Sequence, residues 1–275
     1  MSDTTRVLFV TQAMQPYLQE TRITKICREL PQAVQEKGRE IRNFMPRYGN
    51  INERRHQLHE VIRLSGMNLV VDDHDHPLII KVASIQPAKM QVYFIDNEEY
   101  FKRKSALTDL EGNAHPDNDE RMIFFCKGVI ETVKKLGWAP DIIHCHGWMS
   151  SLLPLFIKKV YNNEPMFANS KVVFSVYADE IVEPVNQKLF DKLKLENIEV
   201  ADYEAIKDPS YDALNMFGAS CADAVIIADE NASSKVVDYV KTLEKPVLDG
   251  TMDDYFDEYD AFYDKVKNLE NALAD

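Results

Sequence analysis

Hydrophobic and polar positions alternate along this chain in two distinct rhythms. Val7, Leu8, Phe9 and Val10 form an unbroken apolar run, short and rich in β-formers. It predicts a central strand of a parallel sheet over Arg6–Val10. From Thr21 to Lys37 the apolar positions are Ile23, Ile26, Cys27, Leu30, Ala33 and Val34, a spacing that gives one helical face. Pro31 removes a backbone donor and is expected to kink or tighten that helix. Gly38 follows as a C-cap, and Glu40–Met45 resumes a strand. Strand, helix, strand at this spacing is a βαβ unit and implies a parallel sheet.

Between about Val61 and Asp96 the rhythm changes. Glu60–Leu64, Met67–Val71, Leu78–Ile85 and Met90–Ile95 are short runs separated by Ser-Gly, Asp/His and Pro-Ala turns. They predict β-hairpins attached to the main sheet. Alternation then returns. Helices are expected over Asp117–Leu136 (capped by Gly137), Met149–Tyr161, Val185–Lys194, Ala213–Ala222 and Ala232–Leu243. Strands are expected over Asp141–Cys145, Lys171–Val176 and Ala224–Ala228. The fold class is α/β: a Rossmann-like, doubly wound, mostly parallel sheet with an antiparallel β-hairpin insertion. Residues 1–250 read as one domain with the insertion at 61–96, and 251–275 as an acidic amphipathic helix. Phe256, Tyr259, Phe262, Tyr263, Val266, Leu269 and Leu273 recur there at helical steps. The expectation is that this helix docks on the domain's own surface through Phe256, Tyr259, Phe262 and Val266.

Composition narrows the function classes. Lys and Arg number 32 and Asp and Glu 45, a formal charge of −13. Such a surface repels phosphate backbones and anionic lipid, which argues against nucleic-acid and membrane-surface binding by bulk electrostatics. The polar start and the short Val7–Val10 run resemble neither a leader nor a membrane span, so a cytoplasmic location is expected. Cys27, Cys126, Cys145 and Cys221 lie far apart with no Cys-x-x-Cys. Reduced, mostly buried thiols are expected rather than a disulfide or zinc site.

Candidate chemistry is sparse. The loop after the first strand, Gln12-Ala13-Met14-Gln15-Pro16-Tyr17, contains no glycine, so a backbone cradle for a dinucleotide pyrophosphate is disfavoured. No cofactor and no metal site are expected. Asp72-Asp73-His74-Asp75-His76 could ligate a metal, but tight turns favour such residues for backbone reasons, and a solvated turn is the expectation. His56 and His59 read as a solvated face. His144-Cys145-His146-Gly147-Trp148 follows an apolar strand, and ligands of open α/β sheets bind at the carboxyl ends of strands. These residues are either a ligand site or a buried, satisfied histidine under a tryptophan lid. Asp117-Asn118-Asp119-Glu120-Arg121 opens a helix, where capping alone accounts for carboxylates.

Several blocks carry a family resemblance. Arg6–Val10, Pro16, Leu30-Pro31 and Met45-Pro46-Arg47-Tyr48-Gly49 resemble the opening of starch and glycogen synthases. Val92-Tyr93-Phe94-Ile95-Asp96-Asn97, with Glu99-Tyr100-Phe101 and Arg103, is similar to a second block. Asp117-Asn118 with Glu120-Arg121 and Phe124-Phe125 is similar to a third. Pro140-Asp141-Ile142-Ile143-His144-Cys145-His146 with Trp148 resembles a fourth, and Ala222-Asp223-Ala224-Val225 the last strand of that domain. Residues 5 to 240 follow the family's order.

The resemblance implies the N-terminal lobe of a bacterial-type, ADP-glucose-using glycosyltransferase of the two-lobe GT-B fold. Its active site lies between lobes; the N-lobe holds acceptor glucan and the C-lobe grips the donor. About thirty residues follow the last matching strand, too few for a second Rossmann lobe. On the glucan side the resemblance points to Asp117, Asn118, His146, Trp148 and Tyr17. On the donor side the positions have changed. The family's Lys-Thr-Gly-Gly-Leu loop becomes Gln19-Glu20-Thr21-Arg22-Ile23. Its Asp is Gly147, its following His is Met149, and its His-Asn after a later strand is Tyr177-Ala178. The expected function is a single-lobe, synthase-like protein of glucan metabolism that transfers no glucose alone. Its expected ligand is a neutral α-glucan, bound weakly, and its expected partner a glycogen-metabolism protein or a second copy. One alternative is half of a split synthase completed by a separate C-lobe chain; another is a domain with an unrelated ligand. Tyr17, His146, Trp148 and Met149 are expected near an open face.

Overall fold

The computed structural model describes residues 4–86, 88–178, 183–196, 198–199 and 208–269. Among these, the strands are β1 Arg6–Thr11, β2 Glu40–Pro46, β3 His59–Glu60, β4 Met67–Val71, β5 His74–Ile85, β6 Met90–Asp96, β7 Ile142–His146, β8 Lys171–Val176, β9 Ala224–Ile227 and β10 Val247–Asp249. The helices are α1 Arg22–Glu36, α2 Glu53–His56, α3 Glu98–Phe101, α4 Asn118–Leu136, α5 Leu153–Leu155, α6 Leu189–Leu195, α7 Tyr211–Cys221, α8 Ser234–Lys241 and α9 Phe256–Lys267. The strands join in one sheet of order β10-β9-β8-β7-β1-β2-β6-β5-β3, with β4 paired to β5. From β10 to β6 every pairing is parallel; β5 is antiparallel to β6, β4 and β3. The doubly wound sheet with an antiparallel addition is therefore present, and β1, β7, β8 and β9 are its centre.

Several expected boundaries shift. β6 is parallel to β2, so it belongs to the wound sheet, and the antiparallel addition ends with β5. Of the expected Glu60–Leu64 strand only Glu60 is extended, together with His59 before it; a turn follows. The expected helix at 149–161 is a 3-10 turn, one short α turn and a π turn in succession. Pro154 near its start lacks the donor that a regular helix needs. The helix expected from Val185 starts at Leu189. By contrast α1 runs through Pro31, whose ring is buried with Leu30 and Val34; the packed face outweighs one lost backbone bond. Asp72 and Asp73 both have positive φ, the backbone of a tight hairpin turn. His76, however, is buried against Tyr100, whose hydroxyl lies 2.9 Å from its Nε2. The solvated turn therefore ends before His76.

Strand register defines the two faces that helices must cover. On one face lie Leu8, Ile143 and Val172, then Val10, Cys145, Phe174 and Val225 in line. α4 and α7 cover this apolar side. The alternate residues face the other way: Phe9, His144, Val173 and Ala224, then Thr11, His146, Ser175 and Ile226. The polar ladder within this face, Thr11, His144, His146 and Ser175, is covered by α1 and α9 together with its apolar neighbours. The tail helix thus docks on its own domain. It buries Tyr259, Phe262, Tyr263 and Val266, while Phe256 is only half-buried; residues 270–275, including Leu273, lie outside the described residues. Cys27, Cys126 and Cys145 are buried free thiols and Cys221 is half-buried.

Candidate functional site

Carboxyl ends of β1, β7, β8, β9 and β10 converge where an open α/β sheet receives ligands. Here the crevice is filled from within. Gly147 follows β7 with φ 80° and ψ 169°, a region open essentially to glycine alone. The side chain of Gln12, from the loop after β1, occupies the adjoining space, and its Oε1 accepts the Met149 N–H at 3.2 Å. A Cβ on residue 147 would lie 2.5 Å from that oxygen.

Next to it, α1 begins. Thr21 is its N-cap and accepts the Thr24 N–H, while the Thr24 hydroxyl oxygen accepts the Thr21 N–H at 2.8 Å. Two of the amides at the helix start, those of Thr21 and Thr24, are thereby satisfied within the chain. Arg22 reaches across the crevice. Its Nε donates to the Ala228 carbonyl at 3.1 Å, and its Nη2 to those of Gly250 (3.1 Å), Thr251 (3.2 Å) and Met252 (3.2 Å). The guanidinium also stacks 5.3 Å from the Tyr255 ring centre. Gln19 and Glu20 are exposed beside it, and the half-buried Ala178 donates its N–H to the Asp229 carboxylate at 3.4 Å.

Beneath lies the histidine pair. His144 is bonded on both nitrogens, Nδ1 to the Tyr263 hydroxyl and Nε2 to the Ser175 hydroxyl, each at 2.6 Å. His146 shares a 2.8 Å hydrogen bond from Nδ1 with the Tyr177 hydroxyl, and its buried Nε2 has no hydrogen-bond partner. The two imidazole centres are 3.8 Å apart. Burial pushes His146 down to about 3. Burial, with His146 alongside, holds His144 well below the ordinary histidine value. Both rings are therefore neutral at pH 7. Burial likewise raises the Tyr177 hydroxyl, and pushes the Cys27 thiol up to about 12. None of these groups is a poised acid, base or nucleophile.

The expectation of an open face is overturned. Trp148 and Met149 are 1% and 0% exposed, His146 0% and Tyr17 7%. Trp148 lies on the α7 side, edge-on to Tyr211 with ring centres 4.7 Å apart. Tyr17 packs between Phe94 (4.9 Å) and His56 (5.0 Å). The interior has aromatic partners for Trp148, Tyr17 and His146, and Gln12 and Cys126 bond the Met149 backbone, so all four are covered by the chain itself.

Asp117 and Asn118 have structural partners too. The Asp117 side chain does not cap α4; Arg103 pairs with both its oxygens, one at 2.6 Å. Burial raises the Asp117 carboxyl, but the Arg103 guanidinium outweighs this and holds it below its usual value. Asn118 Oδ1 accepts from the fully buried Arg121 at 2.6 Å. Arg121 also donates to the carbonyls of Tyr100 (2.9 Å) and Ala106 (2.6 Å). A hydrogen bond to a buried charge is worth about 1.5–3 kcal/mol. Asn118→Ala is accordingly expected to lower stability by about 2 kcal/mol, read as a shift in urea midpoint; an unchanged midpoint would refute this structural role.

These positions match the starch synthase catalytic domain model, over residues 6–245. The chain belongs to that family. A glycogen synthase of Chlorobium limicola is 37% identical over 235 residues, 84% of this chain and 47% of the relative. One from Chlorobium luteolum is 39% identical over 194 residues, 70% of this chain and 40% of the relative. The chain spans about half the length of these relatives. The solved catalytic domain of starch synthase IV from Arabidopsis thaliana, bound to ADP and acarbose, superposes with a TM-score of 0.68 at 17% identity. That match covers 82% of this chain and 45% of the other, and it supports the GT-B-like α/β fold. Within this family member, the positions that the resemblance places on the donor side fall into two groups. Arg22, Gly147, Met149, Tyr177 and the half-buried Ala178 are built into the lobe's own packing, while Gln19, Glu20 and the N-cap Thr21 are exposed on its rim. No described helix is long and apolar enough to cross a membrane.

Sequence reasoning missed Gln12, Ser175 and Tyr263, because each acts across elements remote in sequence. The one available signal was the four-residue step of Tyr255, Tyr259 and Tyr263, which puts three phenols on one helical face.

Proposed function

We propose that this synthase-like lobe serves glucan metabolism without transferring glucose by itself. The observation that carries the reading is Arg22. It stands at the second glycine of the family's donor loop, and its guanidinium is occupied by four backbone carbonyls. Stabilising a departing nucleotide diphosphate requires donors aimed at it in advance and a backbone that comes close. Here Thr21 closes the helix start, Arg22 is turned to the tail, and Glu20 adds an anion at the rim.

The test is glucosyl incorporation from labelled ADP-glucose or UDP-glucose into glycogen by the purified chain. The expected result is incorporation equal to a no-protein control; steady turnover above it would end this reading. An accessory role on neutral α-glucan is consistent with the charge, since a neutral polymer is not repelled by an acidic surface. Trp148 is buried, so such contact would use other surface groups. Titration with maltoheptaose should leave Trp148 emission unchanged in a Trp138→Phe background.

A second reading, half of a split synthase, draws support from the match to about half of each relative. Mixing the chain with a separately produced C-terminal half of the Chlorobium limicola enzyme discriminates the two. Transfer by the mixture alone favours the split enzyme.

A further inference from the structure

The tail helix covers a surface unlike a permanent core. Under α9 the sheet presents His144 and Ser175, with His146 and Tyr177 beside them, where the opposite face presents Val10, Ile143, Cys145 and Phe174. The helix answers with three phenols, Tyr255, Tyr259 and Tyr263, beside the buried Phe262 and Val266. Tyr263 bonds His144, Tyr255 bonds Glu29 at 3.2 Å, and the buried Tyr259 hydroxyl has no hydrogen-bond partner. Water can replace such contacts when the surfaces part, which it cannot do for an aliphatic core. Interfaces that open are more polar than cores for this reason.

Charge is sorted across the same interface. On the body side stand Arg22, Lys37 and Arg39; on the tail stand Asp257, Asp260 and Asp264. Lys37 pairs with Asp257 and lies 3.7 Å from Asp260; Arg39 pairs with Asp260 at 2.6 Å and Asp264 at 3.1 Å. A further pair, of opposite sense, joins Lys267 to Asp141 at 3.1 Å. The connection Met252–Asp254 is exposed and carries no regular structure. At its root sits the Arg22 guanidinium, held by the carbonyls of residues 250–252.

We infer that Gly250–Lys267 is a releasable strap: an acidic, tyrosine-bearing helix, latched by Arg22, that opens off the polar ladder while the sheet stays folded. Opening would bare the His144–His146–Tyr177 surface and free the Arg22 side chain in the same event. The two are coupled because one guanidinium holds both the end of β9 and the root of the strap. The inference is independent of whether the lobe transfers glucose.

Hydrogen–deuterium exchange of the full chain tests it, followed by mass spectrometry on peptides from the strap and from β1, β7 and β8. Arg22→Ala is compared with the wild type, and the wild type at about 0.05 M and about 0.5 M NaCl, since added salt screens exposed pairs. In Arg22→Ala, strap amides should exchange on the order of tenfold faster, with the β1, β7 and β8 amides within about twofold of wild type. High salt should move wild-type strap amides the same way by a smaller factor. The inference is overturned if strap and central strands accelerate by the same factor, because the helix then leaves only on global unfolding. It is equally overturned if strap exchange is unmoved by both perturbations. Should Arg22→Ala fail to fold, the wild-type salt comparison decides by the same criteria.

Discussion

Gly147→Asp, which introduces the residue that the family resemblance implies at this position, is expected to destabilise the lobe by about 3 kcal/mol or more. Two costs add. The backbone at φ 80° and ψ 169° lies where a side chain is strained by about 1–3 kcal/mol. The new Cβ would also press on the Gln12 amide, 2.5 Å away, and on Ile23 Cδ1 at 3.0 Å. Displacing Gln12 leaves the Met149 N–H without its acceptor and puts a carboxylate beside a buried turn. Removing the obstacle should relieve only the second cost. The double variant Gln12→Ala with Gly147→Asp should therefore recover part of the loss, leaving the backbone strain in place. Urea unfolding of the four proteins measures this as a double-mutant cycle. A Gly147→Asp protein with the wild-type midpoint would show that this turn is not held as described.

Acidification should weaken the fold well above the range in which most carboxylates titrate. His144 and His146 are neutral in the folded state because burial disfavours their charged forms. Unfolded, each takes up a proton near pH 6.5. The unfolded state then binds more protons, so stability is full above that value and falls as pH drops toward the folded value, about 3 for His146. The slope is about 1.4 kcal/mol per pH unit for each group. Between pH 7.5 and 5.0 the pair should thus cost about 4 kcal/mol, roughly half from each. The groups facing them hold no carboxylate to rescue a proton: Phe9 and Thr11 on β1, Ser175 and Tyr177 at β8, Cys27 on α1, and Tyr259 and Tyr263 on α9. Arg39, 5.9 Å from the Tyr263 ring centre, adds a cation to the surroundings. In His146→Gln the loss between the two pH values should shrink by about 2 kcal/mol. That difference cancels the other titrating groups, and an unchanged pH dependence would contradict the buried neutral pair.

The wound sheet was legible because its signals are local. Apolar runs at Val7–Val10, Ile142–Cys145 and Val172–Val176 and the helical face of residues 23–34 each encode one element, and alternation of strand and helix leaves few topologies. The amphipathic tail was legible for the same reason, and its four-residue steps placed Tyr259, Tyr263 and Val266 on one buried face. In the family blocks around α4, Arg103 with Asp117, and Arg121 with Asn118, hold the start of the helix. Boundaries failed where local preference and packing disagree, as at 149–161, where Pro154 and the chain's path broke a regular helix; at Pro31 the expected helix held, its buried face continuing through the proline.

By itself, the sequence determined most of the elements that form and the family. It did not determine what Arg22 and His144 do, because their partners are remote along the chain. Arg22 is 206 residues from Ala228 and 228 from Gly250, and His144 is 119 from Tyr263. Tertiary structure alone decided that the crevice is filled rather than open. It did so because satisfying buried polar groups is a condition on three-dimensional neighbours, and no periodicity along the chain records which neighbours those are.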